Sequence, residues 1–95
     1  MLLLLAGAAF AADVVVVQKD RAYAPSEITV DRGDQVVFRN NDPIAHNVIS
    51  MTAGAAFGLK LQRLGEDKRV RFDAPGTVMV GCDSHPGMAL GVTVK

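Results

Sequence analysis

The chain has 95 residues, 49% of them apolar, a length that suits one compact domain with one core and leaves no room for a second. Ten lysines and arginines balance ten aspartates and glutamates, so no net field exists to hold a polyphosphate or steer an acidic partner, and nucleic acid is not expected as a ligand. Valine, glycine and turn residues dominate residues 13–50, which shifts the fold class towards all-β.

Residues 1–11 are uncharged and apolar, and Ala9-Phe10-Ala11 supplies the small-x-small pattern at which signal peptidase cuts. They are read as an export signal whose basic opening is missing, which suggests a start placed too late. A membrane span needs about 20 apolar residues, and Asp13, Lys19 and Asp20 come too soon for one. The expected mature chain is a single domain, residues 12–95, in the periplasm or another exported compartment, with no membrane span. Residues 14–17 read as a first strand, closed by a charged turn at Gln18-Lys19-Asp20-Arg21 and an interruption at Tyr23-Ala24-Pro25-Ser26. Apolar and polar residues alternate in 27–30 and again in 35–40, separated by the turn Asp31-Arg32-Gly33-Asp34. Asn40-Asn41-Asp42-Pro43 breaks the pattern, and 46–50 read as another strand with His46 and Val48 on the inner face. Residues 51–64 lack a sustained period and are expected to be loop with one short strand. Strands follow at 69–72 and 77–82, the second ending on an inward Cys82, and the last is 91–94. Seven to eight short strands with regular turn signals predict a Greek-key β-sandwich.

The chemistry gathers in Cys82-Asp83-Ser84-His85-Pro86-Gly87-Met88 together with His46. Cys82 is the only cysteine, and His46 and His85 are the only histidines. In an exported chain a lone cysteine has no intrachain partner, so it is an inert buried thiol, half of an intermolecular disulfide, or a ligand. A thiolate and a thioether are soft donors and imidazoles borderline, a combination that selects copper over calcium, magnesium or manganese; two His, one Cys and a weak axial Met make the blue-copper set. Pro86 and Gly87 supply the tight turn that lets positions 82, 85 and 88 converge. Ser84 beside His85 does not make a nucleophilic triad, because adjacent side chains point apart and no carboxylate completes it. Phosphate-loop, zinc-protease and Cys-x-x-Cys motifs are lacking.

Gly33-Asp34-Gln35-Val36-Val37-Phe38-Arg39-Asn40-Asn41-Asp42 followed by His46-Asn47-Val48, and a strand running into Cys-x-x-His-Pro-x-Met, resemble the cupredoxins of the plastocyanin and amicyanin type. The two-residue gap before Met88 is similar to the short amicyanin loop. The resemblance implies one mononuclear type 1 copper, cycling between Cu(I) and Cu(II), held by His46, Cys82, His85 and Met88, with Asn47 pinning the cysteine loop. It implies a monomeric electron carrier between redox proteins rather than an enzyme, since no coordination position is left for a substrate. Two departures stand out: Gly81 sits where family members often carry an aromatic residue, and Asp83 follows the cysteine, a carboxylate that would lower the potential. Few aromatics leave the His85 edge as the expected electron exit. Pro86, Gly87, Ala89, Leu90, Ile44 and Ala45 are expected to form an apolar docking patch around it. Copper handling without redox turnover stays open as an alternative because of Met51, Met79 and Met88.

Overall fold

The computed structural model describes residues 12–95; the expected signal segment 1–11 lies outside the described residues. Among the described residues nine strands form: β1 (Asp13–Lys19), β2 (Ala22–Ala24), β3 (Glu27–Val30), β4 (Gln35–Asn40), β5 (Ile49–Ser50), β6 (Phe57–Gly58), β7 (Asp67–Arg71), β8 (Gly76–Gly81) and β9 (Ala89–Val94). They make two mixed sheets, one ordered β2-β1-β4-β7 and the other β3-β9-β8-β5-β6. The chain passes back and forth between the sheets, and this is why β1 pairs with β4, and β3 with β9, in parallel. The expected all-β sandwich is the observed one. The strand count exceeds seven to eight because one further short segment pairs: β2 overlaps the stretch read as an interruption, while β6 is the short strand expected in the long loop.

Period-two alternation puts one side of each strand into a common interior. Val16, Val36 and Phe38 from the first sheet meet Val30, Val78, Val80, Leu90, Val92 and Val94 from the second, with Tyr23, Val48, Phe72 and Met88 closing the ends. Phe38 is fully buried and stacks edge-on against Tyr23, ring centroids 6.1 Å apart. Truncating Phe38 to alanine would leave a cavity at the centre and cost roughly 3–5 kcal/mol.

Asp20 and Arg21, which link β1 to β2, both have positive φ, 53° and 58°. That is the backbone of a type I′ hairpin turn, usually given to Asn-Gly because side chains strain it. Here both amides are bonded: Asp20 N and Arg21 N donate to the Asp42 carboxylate at 2.7 and 2.9 Å. This turn is thereby fastened to the loop that carries His46. The segment expected as a strand over 46–50 is paired only at its end, β5. His46 instead makes an isolated bridge with Gln62, through N–H···O bonds of 3.1 and 2.7 Å.

Candidate metal centre

The loops after β4 and after β8 meet at one end of the sandwich. The second begins where the β8–β9 pairing ends, at Gly81↔Ala89. His85 N approaches Cys82 O at 3.4 Å and Met88 N donates to His85 O at 2.9 Å, so two i→i+3 turns follow one another. Side chains three apart in such turns stack on one side, which directs positions 82, 85 and 88 alike. Cys82 and Met88 are buried, whereas His85 is half-buried.

The first loop is held by buried amides. Asn40 Nδ2 donates to Ile44 O and Gln62 O at 3.1 and 2.7 Å, and Asn40 Oδ1 accepts from Asp42 N at 2.8 Å. Gln62 Nε2 donates to Phe38 O and Glu66 O, and Gln18 Nε2 to Gln62 Oε1, which ties the loop to β4 and β1. His46 is fully buried, with Nε2 2.6 Å from Asp42 Oδ2. Burial pushes the Asp42 carboxyl up, but hydrogen bonds from Arg21 N–H, His46 and Asp20 N–H outweigh it and hold the group below the usual carboxylate range. An ionised carboxylate only accepts, so Nε2 of His46 is the donor in this bond, and in a neutral ring the lone pair is then on Nδ1.

That lone pair faces the other donors. His46 Nδ1 lies 3.2 Å from His85 Nδ1 and 3.9 Å from Cys82 Sγ, and His85 Nδ1 lies 3.6 Å from Cys82 Sγ. Three ligands in a plane at about 2.1 Å from an ion stand about 3.6 Å apart, so the spacing fits a single metal bound by two imidazoles and a thiolate. Among the described residues these three form the one such group with donor atoms mutually within 4.8 Å. Asn47 bridges the loops: its Oδ1 accepts from Asp83 N at 2.9 Å and lies 3.3 Å from Cys82 Sγ, while its Nδ2 donates to Asp83 Oδ2 at 3.0 Å. Beneath the site Tyr23 Oη donates to Gly81 O at 2.8 Å and joins the two sheets.

The structure thus brings His46, Cys82 and His85 together and buries Met88 beside Cys82 in one groove wall. Sequence reasoning missed Asp42, Asn40 and Gln62. The spacing of Asp42 and His46, four apart around a Pro43 turn, was a usable signal for the first; Gln62 lies in a segment without pattern and carried none. Of the expected apolar surface, Pro86, Gly87 and Ala89 are exposed. Leu90 is not, because it faces inward opposite Val80 in the β8–β9 ladder.

A sandwich with His46, Cys82 and His85 converging at one end, and a thioether close by, defines a cupredoxin, a carrier fold for one soft metal ion. A family model of copper-binding proteins, the plastocyanin/azurin family, matches residues 11–95, and the chain belongs to that family. Chloroplastic plastocyanin minor isoform of Arabidopsis thaliana is 31% identical over 108 residues, covering 98% of this chain and 63% of that protein. Plastocyanin of Ginkgo biloba is 31% identical over 87 residues, 78% of this chain and 88% of its own length. A point mutant of amicyanin in its oxidized state superposes with a TM-score of 0.80 at 27% identity, over 86% of this chain and 81% of amicyanin. A copper-containing nitrite reductase from Thermus scotoductus shares the fold with a TM-score of 0.80, but at 22% identity and over only 22% of its length.

Proposed function

We propose that this chain is an exported single-electron carrier whose copper is held by His46, Cys82, His85 and Met88. The observation that carries the reading is the convergence of two Nδ1 atoms and one Sγ at 3.2–3.9 Å, with the Nε2 bond to Asp42 turning His46 Nδ1 toward the other two donors. Bound there, copper supplies a one-electron couple. The residues do the rest. Asp42 and the Gln62 bridge fix the His46 ring, and the two turns and Asn47 fix the cysteine loop, so the donor set is held by packing rather than by the ion. A frame that does not rearrange when the charge on the ion changes keeps the barrier to electron transfer low. His46, Cys82 and Met88 are buried whereas His85 is half-buried, which supports His85 as the exit to a redox partner.

With His46, Cys82, His85 and Met88 all engaged, a bound ion would have no position left for a substrate, which supports a carrier rather than an enzyme. Export rests on the apolar residues 1–11 and the small-x-small pattern at Ala9-Phe10-Ala11. The test is a redox titration of the copper-loaded protein. An intensely coloured oxidised form that bleaches and returns reversibly with one electron is expected. A colourless Cu(I) protein that resists oxidation would overturn electron transfer in favour of copper handling.

A further inference from the structure

The outer face of the β5–β8 pair carries two thioethers that the copper centre does not use. In this ladder Ile49 stands opposite Gly81 and Ser50 opposite Val80, where the pairing ends, and Met51 follows directly after it on the same side of the sheet as Met79. Beyond the ladder, Met79 N donates to Thr52 Oγ1 at 3.0 Å, which ties the segment after β5 to β8 through a side chain. Strand alternation sends Val78, Val80 and Ser50 inward, and Met79 and Met51 outward, where they are 54% and 86% exposed. Both are long, flexible thioethers lining one groove, able to reach toward a common ion.

The same two residues line a groove of about 270 Å³ with Cys82, Pro86, Met88 and Ala89. It reaches Cys82 because position 81 has no side chain, while Ala89, its partner across the ladder, is small. A Cβ at Gly81 would meet only Met88 O, at 3.5 Å, so the backbone there does not demand glycine; the missing side chain opens the groove. The donors therefore run from exposed thioethers to a buried thioether and thiolate along one apolar wall.

We propose that Met51 and Met79 form a weak Cu(I) acquisition site that hands the ion along this groove to Met88 and Cys82. Thioethers are soft donors that prefer Cu(I), and two of them bind weakly enough to release it to a thiolate. Copper stays Cu(I) throughout the transfer: thioether bonds break, the bond to Cys82 forms, and the thiol proton passes to solvent, so no oxidant is needed. The destination rests on the copper-centre reading given above, but the acquisition site does not.

The test adds Cu(I), buffered by a competing chelator without oxygen, to the copper-free protein, and follows both the filling of the centre and the methyl resonances of the methionines. In Cys82→Ser, substoichiometric Cu(I) should shift the Met51 and Met79 methyls together. In the Met51→Leu/Met79→Leu double variant, which keeps volume and hydrophobicity, that shift disappears and filling slows at least about fivefold, with the visible spectrum and potential of the filled centre unchanged. Equal filling rates in the double variant and the parent, or methyls that do not respond in Cys82→Ser, overturn the proposal. Methyl shifts in a parent chain that never loads Cys82 would instead refute the copper-centre reading and leave the surface site standing.

Discussion

Replacing Asp42 with asparagine should raise the reduction potential of the copper centre and lower the stability of the fold. The two effects have separate causes. Asp42 Oδ2 is 2.6 Å from Nε2 of His46, and the imidazole separates it from the ion, so its charge stands roughly 6.5 Å from the copper. One unit charge at that distance and an effective dielectric near 20 interacts with each additional unit of charge on the ion by about 2.6 kcal/mol. That favours Cu(II) over Cu(I) by nearly two decades, about 110 mV at 59 mV per decade. The backbone donors from Asp20 and Arg21 spread this charge, so a rise of about 50–110 mV is expected for Asp42→Asn. Asparagine can still accept from His46, but it has one acceptor oxygen for three donors. Its amide would then face Asp20 N–H, a donor against a donor, at a cost of about 1–3 kcal/mol. For a domain of this size that lowers Tm by about 4–8 °C per kcal/mol. The assays are a spectroelectrochemical titration and a thermal melt of the copper-loaded variant. A fully loaded variant with the parent's potential would refute the charge argument, whatever its Tm.

Three further outcomes are expected. Cys82→Ser should remove the intense visible band of the oxidised protein while the copper-free domain keeps its circular-dichroism spectrum, because the core is built from the strands; a variant that keeps the colour would exclude Cys82 as the ligand. Met88→Leu should retain copper with an altered potential, since an axial thioether is a weak donor, and complete loss of the metal, measured by stoichiometry, would show that the coordination is wrong. Tyr23→Phe should lose about 0.5–1.5 kcal/mol at pH 7 by removing the hydroxyl bond to Gly81 O that joins the two sheets. Burial, and then the charge of Cys82, push the Tyr23 phenol well above its ordinary value. A group whose folded pKa is raised stabilises below its unfolded pKa, near 10 for tyrosine, so the parent should lose stability as pH rises past about 10. Tyr23 is the only tyrosine, so urea midpoints at pH 7 and 11 that fall equally in parent and Tyr23→Phe would refute this assignment.

Much of the molecule was legible in the order of its residues. Glu27–Val30 and Gln35–Asn40 fall where alternation puts them, because a strand with one buried face must repeat every second residue. Cys82, His85 and Met88 could be read as one cluster because they are close in sequence and their donor types are specific. Local pattern failed where structure depends on distant partners. Ala22–Ala24 becomes a strand only because β1 is beside it, and His46 is held not by a strand of its own but by Gln62, sixteen positions on. Likewise nothing local marks Asp42 as the acceptor for the Asp20–Arg21 turn, which lies more than twenty positions away. Residue types and short-range spacing thus determined the fold class and marked the candidate donors. The Nε2 bond that orients His46, the anchoring of its loop and the open groove from Met51 and Met79 to Cys82 were decided only by tertiary structure, since each depends on groups brought together by the packing of two sheets.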